Sequence, residues 1–372
     1  MLYFFAAKLS EIWGPFRLFG SHLILLALGT LTAGAAVYLF LPRLWKRLPH
    51  DRGRKFVKGS EKSVGKPTGA GLIISLIVLP IILLVMPFDL WNLGLLLSLY
   101  FCMLCGYLDD ASIVPWGELK KGLLDLFIAL AAAYFLSKGE AVTIWLPVYK
   151  DPITIPLIAY LPIATIVLWL TTNATNCSDG VDGLAGSLTL ISLFSMGALL
   201  YGVTGYRPVA DYLLIPHYPD GARWAILTFT MAGGLAGYLW HNAEPSRVLM
   251  GDAGSRLLGL LVGVAALAAG NPLLVIVVAP VVLVNGGTGL FKLGLLRILK
   301  KIGFDTTPPD TNLKQSPNGQ HVFVKILHKI RFPLHDHCRH NKKWSNAQVL
   351  MRFVLIQSFL TPLLFVLLVK IR

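Results

Sequence analysis

Acidic residues are scarce in this 372-residue chain, with 19 Asp and Glu against 33 Lys and Arg, and all charged residues together make up only 14% of it. Soluble globular domains carry about 25% charged residues. That shortfall, with 55% hydrophobic residues and a mean hydropathy of +0.67, excludes an ordinary soluble fold. Cysteine is also sparse, at four residues. Cys102 and Cys105 share one apolar run, and no second metal-spaced pair or soluble redox fold surrounds them. Their expected role is packing. The chain shows no internal repeat and no separate soluble domain. No small-residue cleavage site follows the first apolar run, which therefore reads as a retained span.

What the sequence has in abundance is long apolar runs. Ten stand out, at 21–41, 70–87, 93–108, 122–137, 156–172, 184–203, 224–240, 255–269, 272–291 and 350–370. About 20 residues of helix cross about 30 Å of hydrocarbon, and shorter runs serve where helices are broken or covered. Lipid cannot satisfy free backbone amides, and barrel strands would alternate in polarity, so the runs are expected to be helices. The fold class is an all-α polytopic membrane protein of about ten transmembrane helices, with residues 1–372 forming one membrane domain.

A formal net charge of +14 raises the possibility of nucleic acid, but the distribution argues against it. With the N-terminus placed outside, the loops 42–69, 109–121, 173–183, 241–254 and 292–349 fall on the cytoplasmic side. The first holds Arg43, Lys46, Arg47 and Lys66 among others; the last holds Lys292, Arg297, Lys300, Lys301, Lys342 and Lys343. The outside loops hold little beyond Lys138, Lys150 and Arg207. This is the positive-inside bias, and it puts both termini outside the cytoplasm. Cys177 and Cys338 then face a reducing compartment, where disulfides are not expected. The segments 291–303 and 321–332 mix apolar and basic residues and are expected to lie along the membrane surface against anionic lipid.

Every loop with unusual polar chemistry lands on that same side. The first ends in Gly65-Lys66-Pro67-Thr68-Gly69-Ala70-Gly71, where glycines let backbone approach a ligand and Lys62 and Lys66 add mobile charge. By itself this reads as a basic membrane-surface loop with a Gly-Pro turn. The second opens with Asp109-Asp110, adjacent carboxylates at a membrane boundary that need a cation or proton nearby unless they simply end a solvated helix. The third, Asn173 to Leu184, is the most specific, because it places Asn173, Asn176, Asp179 and Asp182 among glycines directly before a helix. If the sixth span starts early, Asp179 and Asp182 share a face, and its N-terminal amides suit phosphate. The fourth holds Asn242 and Met250-Gly251-Asp252-Ala253-Gly254-Ser255, which alone is a common Gly-Asp turn with an N-cap serine. The fifth carries His335-Asp336-His337, which lacks the partners zinc requires and reads as a polar turn or a phosphate or sugar contact. Asn285-Gly286-Gly287-Thr288-Gly289 interrupts a span and reads as a bend or a close helix contact.

Converging carboxylates, glycine-rich helix starts and scattered Lys and His suit magnesium-assisted phosphoryl transfer, since Mg²⁺ takes one or two protein carboxylates and completes its shell with phosphate and water. The motifs GKPTGAG, GYLDD, NATNCSDGVDGLAG, LMGDAGS, and PLHDH followed by KKWSNAQVLMRF occur in that order. On them the chain resembles the polyprenyl-phosphate N-acetylhexosamine-1-phosphate transferases over essentially its whole length. The His-containing stretch, with the Trp-Ser and Arg-Phe after it, is similar to the bacterial branch that moves phospho-MurNAc-pentapeptide; sister branches share the aspartates and lack this stretch.

The resemblance implies transfer of phospho-MurNAc-pentapeptide from UDP-MurNAc-pentapeptide to undecaprenyl phosphate, giving lipid I and UMP in the first membrane step of peptidoglycan synthesis. It implies Mg²⁺ as cofactor, membrane lipid and the two substrates as partners, no nucleic acid, and a multi-pass protein of the bacterial inner membrane with its active site facing the cytoplasm. Carried over by position, Asp252 would ligate the metal, and Asp109 and Asp110 would stand at the lipid-phosphate side. Asn173, Asn176, Asp179 and Asp182 would frame nucleotide and metal, Asn242 and Lys62 would contact nucleotide, and His335 and His337 would hold the sugar phosphate.

Three departures stand out. The family's Asp-Asp-x-x-Lys ends in Ile113, leaving that lysine's role vacant or passing it to Lys120 or Lys121; its triple His is His335-Asp336-His337; and its uracil-stacking aromatic is Leu249, which implies weaker nucleotide binding. A UDP-GlcNAc-dependent sister transferase and a ten-span secondary transporter are the alternatives. Transporter sites lie near the midplane, whereas these carboxylates cluster at one surface. Small-residue spans permit a homodimer.

Overall fold

The computed structural model describes residues 1–53, 63–147, 149–307 and 322–370. It is an all-helical membrane protein with one small hairpin. Two N-terminal helices, α1 (Leu2–Ile12) and α2 (His22–Leu44), precede α3 (Ala70–Val85), α4 (Leu90–Ala111) and α5 (Glu118–Ser137). The hairpin β1 (Val142–Ile144) and β2 (Ile153–Ile155) is antiparallel, pairing Val142 with Ile155 and Ile144 with Ile153. There follow α6 (Leu157–Ser178), α7 (Leu184–Leu199), the short α8 (Arg207–Tyr212), α9 (Gly221–Asn242) and α10 (Gly251–Ala268). The last part comprises α11 (Leu274–Val278), α12 (Pro280–Val282), α13 (Thr288–Lys301), α14 (Val322–Lys329), α15 (Leu334–Asn341) and α16 (Asn346–Lys370).

Helix covers each of the ten apolar runs, and among the described residues seven helices are long and apolar enough to cross a membrane. At the centre stands α10, with 89% of its most apolar stretch buried, against 22% for α16 and 28% for α2. Its neighbours are α3, α4, α6 and α7. Small residues make this possible. A Cβ on Gly71 of α3 would collide with the backbone of Ala253 and Gly254 on α10, so only glycine permits that approach.

The ends of the bundle differ in chemistry. At one end Asp89 caps α4 by accepting the Asn92 amide at 2.8 Å. A network of Asp89, Lys138, Asp220 and Arg223 there ties the starts of α4 and α9 to the end of α5, with Lys138 to Asp220 at 2.8 Å. The hairpin plugs the same end: the buried Trp145 donates its indole N–H to the Ala269 carbonyl at 2.8 Å. The polar motifs gather at the other end.

Two local expectations are corrected and a third is made specific. The sixth span does not start early: α7 begins at Leu184, because Gly183 sits at φ +77° and breaks the helix ahead of it. Asp179 and Asp182 therefore lie in a turn, while Asn173 and Asn176 belong to the last turns of α6, which runs to Ser178. Ser255 is not an N-cap: its hydroxyl donates back to the Gly251 carbonyl at 2.9 Å inside α10. The interrupted span contains a π-helical turn, Leu283–Gly287, which carries the helix on through α13 to Lys301. Gly286 there presses on the Ala174 backbone, so of the two readings the close helix contact is the one the structure bears out.

Candidate active site

The start of α10 organises the site. Gly251 takes φ +71°, and a Cβ on it would strike Asp110 and Gly69. The turn it makes leaves the first amides of α10 pointing at α4, where Asp110 accepts the N–H groups of Asp252 and Ala253, each at 3.0 Å. A helix N-terminus leaves its first amides without intrahelical partners and attracts negative charge, so Asp110 is a cap supplied from another helix. The first loop joins by backbone pairing. Leu249 donates to Pro67 at 2.8 Å, and Ala70 donates to Leu249 at 3.1 Å.

Asp109, one residue earlier, faces differently. One of its oxygens accepts the Trp116 amide at 2.7 Å, and the other meets the Lys121 ammonium. That ammonium also contacts Asp252 at 3.0 Å. Asp109 and Asp252 are 8% and 6% exposed, so these two buried carboxylates converge on one positive charge. Of the two lysines left open by Ile113, Lys121 is the one that reaches the carboxylates; Lys120 instead lies over the Trp116 ring, 3.5 Å from its centre. The displacement is possible because α5 begins at Glu118, four residues before the apolar run, and so brings Lys121 into its first turn.

The third and fourth loops are laced together. Asn242 is buried; its carbonyl oxygen accepts the Gly183 amide and its NH₂ donates to the Val248 carbonyl, both at 2.8 Å. Asp182 accepts the Ser246 amide at 3.1 Å, and Lys66 reaches both the Ser246 hydroxyl at 2.8 Å and Asp182 at 3.5 Å. Asn173 donates to the Trp169 carbonyl at 2.9 Å. Asn176 and Asp179 stand at the end of α6 beside this cluster. Lys62 lies outside the described residues.

The fifth loop closes over the third. His335 is 2% exposed; its backbone N–H reaches the Asn285 side-chain oxygen at 2.9 Å, and its Nδ1 lies 3.2 Å from the same oxygen. Its ring also packs on Gly180, where a Cβ would strike Nε2. Arg339 reaches the Gly180 carbonyl at 3.5 Å and Asp336 at 3.4 Å. His337 sits apart, its Nδ1 accepting the Arg331 amide at 3.3 Å. The structure thus brings Asp109, Asp110 and Asp252 into one cluster, and Asp182, Asn242 and His335 into the adjoining loop shell. Sequence reading named Asn285 only as an irregularity in a span; a buried amide in an apolar run was the signal that it had a partner.

Among the described residues no three acidic, His or Cys side chains form a closed metal cage. What converges is a hard-oxygen pair around a shared cation, with glycine-bounded loops and lysines beside it. A polytopic membrane protein with such a set has the parts of a membrane-embedded phosphoryl-transfer enzyme, where positioning and charge neutralisation do most of the chemistry.

Comparison with known proteins agrees. Residues 92–270 match the family described as Glycosyl transferase family 4. The chain is 44% identical to the phospho-N-acetylmuramoyl-pentapeptide-transferase of Treponema pallidum (strain Nichols), covering 97% of this chain and 94% of that protein. It is 31% identical to the protein of the same name from Nautilia profundicola, over 82% of each chain. To that from Thermodesulfovibrio yellowstonii it is also 31% identical, over 84% of this chain and 82% of the relative. The chain belongs to the phospho-N-acetylmuramoyl-pentapeptide-transferase family.

Proposed function

We propose that the protein transfers phospho-MurNAc-pentapeptide from its UDP carrier to undecaprenyl phosphate, releasing UMP and forming lipid I. The names of its relatives support the substrates. The observation that carries the chemistry is the convergence of Asp109 and Asp252 on the Lys121 ammonium. The same two carboxylates fit Mg²⁺, because a hard cation needs only one or two protein carboxylates beside phosphate oxygens and water. Asp252, with Asp109, would hold it; when bound, the metal supplies charge neutralisation at the diphosphate.

The acceptor phosphate is already anionic at neutral pH, so attack on the β-phosphate needs placement more than a strong base. Asp110 supports direct attack over a covalent phospho-enzyme, since both its oxygens are engaged by α10 amides. Lys121 steadies negative charge beside the reacting phosphates. Lys66, Asp182 and Asn242 shape the donor side, with His335 and Arg339 closing over it. The clustering of basic residues on the motif-bearing loops supports a cytoplasmic site and extracytoplasmic termini in a bacterial inner membrane.

Purified protein given UDP-MurNAc-pentapeptide, undecaprenyl phosphate and Mg²⁺ is expected to release UMP only when all three are present, and Asp252→Ala to abolish release. Release with UDP-GlcNAc in place of the muramyl donor would assign the protein to a sister activity instead.

A further inference from the structure

Directly beneath the site lies an ion pair that the reaction does not touch. Lys121 and Asp125 are four residues apart on α5, and Asp252 and Arg256 are four apart on α10, so each pair shares a helix face. The upper contact runs from Lys121 on α5 to Asp252 on α10. One turn deeper the polarity is reversed: Arg256 on α10 donates to Asp125 on α5 through Nε at 3.1 Å and through Nη2. Both deeper side chains are 1% exposed. The Nη1 of Arg256 is buried without a hydrogen-bond partner, and Asn173 from the third motif approaches the Asp125 carboxylate.

Such a pair is a poor stabiliser, because desolvating two charges and leaving one guanidinium nitrogen unsatisfied cancels much of the attraction. Its best-attested use is to fix register. We propose that Asp125 and Arg256 are positioning residues, clamping α5 against α10 so that Lys121 stands between Asp109 and Asp252. A slip of one residue moves a helical side chain about 1.5 Å along the axis and about 100° around it, which takes Lys121 off both carboxylates. Apolar partners would pack the two helices without selecting that register.

This inference rests on the transferase reading, so parent turnover in the same assay separates the two: a silent parent sinks the reading, while the clamp is judged from variant-to-parent ratios. The double variant Asp125→Leu/Arg256→Met removes both charges together and leaves neither buried alone. It is expected to unfold thermally in detergent at or above the parent temperature. Its kcat is expected to fall about a hundredfold, as for a catalytic group displaced by about 1 Å, with KM for the UDP donor within about twofold. Arg256→Lys, which keeps a charge opposite Asp125, is expected to retain more kcat than the double variant. A folded double variant with parental kcat overturns the clamp, as does one whose loss lies wholly in KM. If the double variant does not fold, Asp125→Asn, which removes the charge at nearly constant shape, decides alone: lowered kcat at parental KM and melting temperature upholds the clamp, and parental kcat in the folded variant overturns it.

Discussion

The carboxylate of Asp110 accepts the backbone N–H of Asp252 at 3.0 Å, so an acid at the end of α4 caps the helix whose first turn carries the acid of the next motif. Adjacent aspartates in one motif thus have different work. Asp110 builds the start of α10, and Asp109 shares Lys121 with Asp252. The Asp-Asp pair is tolerated at the membrane boundary because each carboxylate faces its own positive partner, a helix N-terminus for one and an ammonium for the other.

Asp110→Asn separates these roles. The amide keeps one acceptor but turns an NH₂ toward an α10 N–H, which leaves a buried donor unpaired. The expected cost is about 1–2 kcal/mol of stability, seen as a lower melting temperature in detergent together with reduced UMP release. Activity lost at an unchanged melting temperature would argue that Asp110 acts on substrate and not as a cap.

Lys121→Ala removes the cation shared by Asp109 and Asp252, and kcat is expected to fall about a hundredfold, the usual scale for losing one charge-stabilising donor. Lys120→Ala loses only a stacking contact with Trp116, and turnover is expected to stay within about twofold of the parent. Comparable losses in both would mean that the tether to Trp116, not the ammonium at the carboxylates, matters.

The helices were legible because lipid-facing runs are solidly apolar, and each of the ten expected runs is helical. Less legible were places where backbone geometry, not hydropathy, decides. Gly183 ends any extension of α7 toward Asp179, and the π turn at Asn285 is invisible to a hydropathy window. The site acids could be named from motif and spacing, since Asp109, Asp252 and their glycines carry a pattern. Their partners could be narrowed only as far as Lys120 or Lys121. Lys121 reaches Asp252 across 131 positions of sequence, and Asn285 meets His335 across 50. A lysine inside the first turn of a helix and an asparagine inside an apolar run carry no local mark of what they face.

Gly71→Ala tests the packing that brings the loops together. The added methyl would meet the backbone of Ala253 and Gly254, which cannot rotate away as a side chain can. Overpacking of this kind costs about 1–3 kcal/mol, and displacing α10 from α3 also moves Asp252. Both melting temperature and turnover are expected to fall, whereas Gly122→Ala, where nothing lies within 4 Å of the new methyl, is expected to leave both unchanged. A neutral Gly71→Ala would show that α3 and α10 are not in contact there.

The Asn285 side chain is the anchor of the fifth loop, since one oxygen receives the His335 backbone N–H and lies beside its ring. Cys338, one turn further along α15, is 7% exposed, and burial pushes its thiol above the ordinary range. A raised thiol pKa means less thiolate at neutral pH, so alkylation is expected to be slow and to rise with pH beyond the range of an exposed cysteine. In a protein whose Cys177 is replaced by Ala, Asn285→Ala is expected to free α15 and speed maleimide labelling of Cys338 about tenfold, a shift of about 1.4 kcal/mol in the opening equilibrium. The same variant should raise KM for the UDP donor more than it lowers kcat, because the loop it releases closes over the donor side and not over Asp109 and Asp252. Labelling unchanged by Asn285→Ala would mean that α15 is held by its contacts with α16 and Gly180 without the Asn285 hydrogen bond.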